Sequence, residues 1–241
     1  MIIRTRGLVL GHMAYKEQSI ICKVYTEELG TKSFIIHNVR SKRNSSNAIF
    51  LQPLTLVELE IYGGTKGGLN RIKEHAVARA FKTIPFNQVK RAVTFFVTEV
   101  LEKCLKEEHE NHDLFRFLWQ SIELFDEQEH NSENFHIFML LYLSKHLGFF
   151  PHEKENQEDQ FFDLLEGKYC YTIPSHPHYL NKEETAIWSK LSEAGEHLLF
   201  DTKLERGERQ IMIANLLVYF KLHVANFNEI VSYKILQQLF D

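Results

Sequence analysis

Several features that would place this chain in a membrane or an oxidising compartment are missing. No apolar run approaches the 18 or so residues that a bilayer-spanning helix requires. The opening residues, Met1 to Arg6, lack the apolar core and small-residue cleavage site of a secretory signal. Cysteine is scarce: Cys22, Cys104 and Cys170 are an odd and widely spaced set, which argues against a disulfide framework. These absences together predict a cytoplasmic protein. No Gly-Lys-Ser/Thr phosphate loop and no nucleophile elbow occur, so ATP use and serine-type hydrolysis have no support. No grouping of nucleophile, base and metal ligands stands out, so an enzyme is the least supported class.

The 241 residues are 44% hydrophobic and 25% charged, an ordinary globular balance, and 19 phenylalanines predict aromatic-rich packing. The net charge of −4 conceals an asymmetry. Residues 1–79 hold 12 basic and 6 acidic side chains, a net of +6, and the remaining 162 hold 16 and 26, a net of −10. Such a split suggests that one section meets a polyanion.

Hydrophobic periodicity divides the chain near residues 80–86. Before it, residues 2–12, 18–26, 31–38, 54–62 and 69–79 read as five strands, with a turn at Glu28-Leu29-Gly30 and a glycine-rich loop at 63–68. A long connection, 39–53, follows the third strand. This spacing predicts an OB-type barrel over 1–80, although strand count alone also allows an SH3-like barrel. After it, a helical domain is predicted over 86–241, with Asn87, Asp113, Ser132, Asn181 and Asn228 as candidate caps. The third helix should stop at Gly148, just before Pro151. Periodicity is lost over 150–180 and returns at 182–194, 206–226 and 228–240. The fold class is therefore α+β, a barrel followed by helices.

The sharpest local feature is Arg40-Ser41-Lys42-Arg43, followed by Asn44-Ser45-Ser46. Cations of this kind neutralise phosphates and release condensed counterions, and short polar side chains commonly join them on the backbone. Strand alternation predicts that Arg71, Lys73, His75 and Arg79 share one face, as do Arg4 and Arg6. Lys66 sits in the glycine loop. Lys23 and Tyr25 point the same way on the second strand, so Tyr25 is a candidate stacking platform, as are Phe34 and Phe50, with core packing the commoner role for each. The nucleic-acid-binding set predicted from the sequence is Arg4, Arg6, Tyr25, Arg40, Lys42, Arg43, Lys66, Arg71, Lys73 and Arg79. Two weaker clusters, Cys170 with His176 and His178, and the acidic stretch Glu107 to Asp113, lack a paired ligand spacing, and no metal or other cofactor is predicted.

Tyr15-Lys16-Glu17-Gln18-Ser19, Tyr25-Thr26-Glu27-Glu28-Leu29-Gly30, Val39-Arg40-Ser41-Lys42-Arg43, Leu51-Gln52-Pro53-Leu54 and His146-Leu147-Gly148-Phe149 resemble, in order and spacing, the RecO family of bacterial recombination mediators. The resemblance implies an OB-fold followed by a helical domain. It also implies recombinational repair without nucleotide hydrolysis: binding of single- and double-stranded DNA, annealing of complementary strands, and loading of RecA together with RecR. The acidic, hydrophobic C-terminal tail of single-stranded DNA-binding protein is a further implied partner, with Lys145 a conceivable contact. Many family members carry a four-cysteine zinc site after the Leu-Gly step. Here residues 149–172 offer only Cys170, so that site is not expected. A non-catalytic adaptor and an RNA-binding OB module are the alternatives that residue chemistry leaves open.

Overall fold

A computed structural model describes residues 1–16, 19–37, 50–63, 69–106, 109–128, 132–156, 158–193 and 202–240. Five strands, β1 (Ile2–Tyr15), β2 (Ser19–Thr26), β3 (Gly30–His37), β4 (Leu56–Tyr62) and β5 (Asn70–Val77), close a barrel in the order β1-β2-β3-β5-β4. This order, sealed by a short parallel seam between β3 and β5, is that of an OB-fold and decides against the SH3-like alternative.

Closure depends on β1. Its first half pairs with β4 (Ile2 with Tyr62 through Leu8 with Leu56), and its second half pairs with β2. A bulge between Val9 and Gly11 bends the strand between its two partners. Gly7 sits where both partners crowd it, since a β-carbon there would lie 2.6 Å from a Val24 methyl. The Leu-Gln-Pro step enters β4 beside the bulge. Leu54 adopts the left-handed region (φ 60°), held because its N–H donates to Val9 O at 2.8 Å and Thr55 O accepts from Val9 N at 3.0 Å. Val9, Cys22, Val24, Phe34, Ile36, Phe50, Leu51, Val57, Leu59 and Ile61 fill the interior.

The strand-to-helix change lies between Val77 and Gln88, but the compact unit extends further, to Glu127. It takes in α1 (Gln88–Cys104) and α2 (His112–Glu127). Their apolar faces cover part of the barrel's outer wall: Lys23 Nζ donates to Glu102 O at 3.2 Å, Thr31 Oγ1 to Leu105 O at 2.9 Å, and Tyr25 packs on Phe115. Asn87 caps α1 by accepting from Lys90 N. The cap of α2 is Asn111, which accepts from Leu114 N, and not Asp113, which lies within the first turn.

A buried polar node joins the residues leaving the barrel to both helices. Asp126, fully buried near the end of α2, accepts backbone N–H groups from Lys82, Thr83 and Ile84 at 2.8, 2.9 and 3.0 Å. Lys90 of α1, also buried, donates to Thr83 Oγ1 and to the Phe125 and Asp126 carbonyls. Those carbonyls are among the last of α2, which lack helical partners and attract a cation.

The second compact unit spans residues 128–241. A short 3-10 turn, Ser132–Asn134, precedes α3 (Phe135–His146), so Ser132 opens the turn while Asn134 occupies the cap position. Residues 135–144 of α3 are buried on every side. The helix ends at Gly148 (φ +86°), with Phe149 N donating back to Ser144 O. The segment expected to be irregular contains a small sheet, β6 (Phe161–Asp163), β7 (Lys168–Cys170) and β8 (Tyr179–Leu180), in the order β7-β6-β8. Its strands are too short for alternation to register. Phe162 packs on Tyr169, Trp188 and Tyr219, His176 pairs with Asp163 at 3.2 Å, and Tyr219 donates to Phe149 O at 2.7 Å. Helices α4 (Lys182–Glu193), α5 (Arg206–His223) and α6 (Ser232–Phe240) follow. Asn181 caps α4, whereas α6 starts four residues beyond the expected cap Asn228.

Burial pushes the Asp126 carboxyl up, but its three backbone donors outweigh this and hold it below the usual range. Its contribution is therefore complete above the unfolded value and lost only as pH falls through the lower native one. Asp126→Ala should lower unfolding stability by at least about 2 kcal/mol in urea titrations at neutral pH, and a loss below about 0.5 kcal/mol would show the node to be incidental. His136 of α3, enclosed and near Arg209, is pushed down to about 3, first by burial and then by that charge. Below about pH 6.5 the unfolded chain takes up a proton that the native imidazole refuses, so stability falls by up to about 1.4 kcal/mol per pH unit. His136→Gln should lose this part of the acid slope; an unchanged slope would refute it.

Candidate nucleic-acid interface

The cations of the barrel fall into two groups according to what faces them. Five of the six acidic residues in 1–79, Glu27, Glu28, Glu58, Glu60 and Glu74, line one groove of about 500 Å³ on the outer face of β1, β4 and β5. Strand register puts them there: Arg4 opposes Glu60 and Arg6 opposes Glu58 across β1 and β4, and Glu60 opposes Glu74 across β4 and β5. Arg4 Nε donates to Glu60 at 2.8 Å, and Lys73 Nζ reaches the other oxygen of the same carboxylate at 2.8 Å. Lys73 first, then Arg4, holds the Glu60 carboxyl below its usual range. Arg6 makes a two-pronged pair with Glu27 at 2.7 and 2.8 Å and lies over the Trp119 ring at 4.9 Å. That pairing raises the Arg6 guanidinium and lowers the Glu27 carboxyl. Arg4 and Arg6 thus share a face, as expected, but it is one already supplied with carboxylates.

The predicted single face of Arg71, Lys73, His75 and Arg79 does not form. Glu60 pairs with Glu74, yet the next residue, Ile61, pairs with Ile72, so the register slips at Lys73. The extra residue reverses the alternation beyond it. His75 falls opposite the buried Leu59, 4.4 Å from the Phe50 ring, and burial lowers its pKa. Arg79 lies past the end of β5 and pairs with Glu123 at 3.2 Å and with Glu127 of α2, tying the barrel's exit to that helix. Arg71 stays exposed on the outer face and makes no ion pair among the described residues.

Tyr25 is buried at 3% exposure against Phe115, so its ring faces α2 and not solvent. Its neighbour Lys23 is turned to α1. Phe34 and Phe50 belong to the barrel interior. Tyr25 is lost as a platform because strand alternation identifies an outer face but cannot tell that helices from later in the chain will cover it, whereas Phe34 and Phe50 take the core role that aromatic residues more commonly have. Arg40, Lys42, Arg43 and Lys66 lie outside the described residues; the chain enters the first of these segments at His37 and the second at Gly63.

A second groove, of about 410 Å³, lies between α5 and α6. Leu217, Val218, Phe227, Ile230 and Tyr233 line it, with Lys221 and Lys234 at its margin. Sequence reasoning missed it because its walls come from two helices and the turn between them. Lys145, by contrast, is exposed in the last turn of α3 and does not line this groove. As for metals, ligand atoms of Glu28, Glu110 and His112 come within 4.8 Å of one another, but all three are solvated and nothing encloses them. Cys170 Sγ contacts Phe161 O and His176 pairs with Asp163, so Cys170, His176 and His178 do not converge as a ligand set. A tetrathiolate zinc site needs three further cysteines that this segment does not have.

Comparison with known proteins covers nearly the whole chain. Residues 1–81 match the family described as recombination protein O N terminal, and residues 89–228 match recombination protein O C terminal. The chain is 32% identical to the DNA repair protein RecO of Phocaeicola vulgatus and 30% identical to that of Azobacteroides pseudotrichonymphae. It is 32% identical to that of Flavobacterium psychrophilum. In each case all of both chains is covered.

Arg6→Ala should destabilise the protein by about 1 kcal/mol, a value held down by the partial exposure of the pair, and the difference should shrink in high salt. Arg71→Ala should change stability by less than about 0.5 kcal/mol. Urea denaturation of both variants checks this, and equal losses would contradict the division of cations drawn above.

Proposed function

The chain belongs to the recombination protein O family, and on that premise we propose that it is a recombination mediator. In this reading it binds single- and double-stranded DNA, anneals complementary strands and, with RecR, helps RecA onto DNA coated by single-stranded DNA-binding protein. It works in the cytoplasm, without nucleotide hydrolysis.

The observation that carries the proposal is the segregation of charge on the barrel. Five glutamates share one groove with Arg4, Arg6 and Lys73, which pair there with Glu60 and Glu27, so most of the surplus of six positive charges in residues 1–79 falls on other cations. Arg40, Lys42, Arg43 and Lys66 are among them, together with the exposed Arg71. A polyanion is attracted to such cations and repelled by the carboxylates of the groove, which restricts where a strand can run. Contacts of this type are independent of sequence, as annealing of arbitrary complements requires. Screening by Arg and Lys also lowers the repulsion between two strands brought together.

For the protein partner, the groove between α5 and α6 has the chemistry to take an acidic, hydrophobic tail. Its walls are largely apolar, and Lys221 and Lys234, beside Glu229, are the cations that would meet carboxylates of a bound peptide. Lys234 is paired with Glu229 at 2.9 Å in the unbound state, so a peptide carboxylate would replace an existing partner.

The test is annealing of complementary strands coated with single-stranded DNA-binding protein, using that protein intact or lacking its last few residues. Wild type should anneal the first and fail on the second. Reversing the charge of Arg40, Lys42 and Arg43 together should weaken binding to bare single strands at least about tenfold at low salt. Failure to anneal in either arm would overturn the mediator reading, and unchanged binding by the triple variant would overturn the role of those residues.

A further inference from the structure

A single strand needs stacking surfaces as well as phosphate contacts, and the aromatic residues expected to supply them are buried. The outer face of the barrel nevertheless presents one tyrosine. Tyr62, the last residue of β4, is 53% exposed, and Ile2, its partner on β1, is 47% exposed. Both point away from the interior, since Ile61 and Ile3 beside them pack into or against the core.

Register defines what surrounds this ring. Ile61 pairs with Ile72, so the next residues along the two antiparallel strands, Tyr62 and Arg71, are neighbours on the outer face. Arg71 in turn is paired with Ile35 across the parallel seam. A row therefore runs across the barrel from Ile2 through Tyr62 and Arg71 to Ile35. One rung below lie Arg4 and Lys73, bridged by Glu60. Arg4 is 84% exposed and uses only its Nε on Glu60, which leaves its terminal N–H groups directed to solvent. Tyr62 is thus an exposed ring with three cations around it; two of them share the Glu60 carboxylate, and Glu74 lies 3.9 Å from Lys73.

We infer that Tyr62 is a base-stacking residue for single-stranded nucleic acid, with Arg71, Arg4 and Lys73 placed to meet the flanking phosphates. The inference rests on the DNA-binding reading above and deepens it. Any base offers a π-face, so stacking on Tyr62 adds affinity without choosing sequence. It adds nothing for a duplex, whose bases are already stacked. The exposed apolar side chain of Ile2 extends the platform for a neighbouring base or sugar. The acidic end of the same face, with Glu27, Glu28, Glu58 and Glu74, closes off the opposite direction, so a strand leaving Tyr62 is directed toward Arg71 and the β3–β5 seam.

The experiment compares wild type, Tyr62→Ala and Tyr62→Phe for binding to an oligothymidylate and to a duplex of equal length, by fluorescence anisotropy on the full chain. Tyr62→Ala should lose about tenfold or more in affinity for the single strand and stay within about twofold on the duplex, whereas Tyr62→Phe should keep single-strand affinity. A second variant, Tyr62→Trp, places an indole on the surface of a protein whose own tryptophans, Trp119 and Trp188, are buried. Its added fluorescence should be quenched by oligothymidylate. If wild type binds the single strand and Tyr62→Ala binds it equally well, with no quenching in Tyr62→Trp, the stacking role is wrong and the DNA-binding reading stands. Equal losses on single strand and duplex would also refute stacking. If wild type binds neither, it is the DNA-binding reading that has failed.

Discussion

The fully buried carboxylate of Asp126 and the buried ammonium of Lys90 organise the first half of the molecule. An ion taken out of water must find partners to offset the loss of hydration, and these two find them in different parts of the chain. Asp126 gathers three successive backbone N–H groups of the segment leaving the barrel, while Lys90 closes the carbonyl end of α2. The barrel's exit, the start of α1 and the end of α2 are thereby held to one another at a single point. With α1 and α2 so anchored, the covering of the β2 face, the burial of Tyr25 and the pairing of Arg6 above Trp119 follow. The barrel and its two helices form one compact unit for this reason, although the family division falls between residues 81 and 89.

The same anchoring explains how much could be read from the sequence. Five strands, their order of appearance and the change to helix were legible because alternation and helical periodicity are local properties. Asn87, Asn181 and Gly148 could be recognised because caps and stops are read within a few residues. Charge asymmetry was legible as a sum, but its placement was not. Whether Arg6 is a free cation depends on Glu27, twenty-one residues away, and on Trp119, far beyond any window of periodicity. The slip at Lys73 is subtler, since one extra residue in β5 moves His75 to the opposite side. Tyr62 went unremarked because a tyrosine closing an alternating strand reads like any other.

Charge on the barrel is arranged for direction more than for strength. An overall surplus of cations spread evenly would attract a polyanion to every face. Gathering five carboxylates in one groove leaves a boundary, and Tyr62, Arg71, Arg4 and Lys73 lie along it. Glu60, shared between two cations at that boundary, holds both in place without leaving a free negative charge. On the proposed function, specificity of path comes from repulsion on one side as much as from attraction on the other.

The small sheet of the second unit has a bearing on how its one cysteine meets oxidants. Its three strands are fastened by Phe162, Tyr169, Trp188 and Tyr219 and by the pairing of His176 with Asp163. Its one thiol, Cys170, is kept protonated by burial and by the nearby Asp163 and Asp159. Peroxides attack thiolates far faster than thiols or aromatic rings. A raised Cys170 pKa therefore slows oxidation of the one thiol in this ribbon, whose strands are held by aromatic contacts and an ion pair.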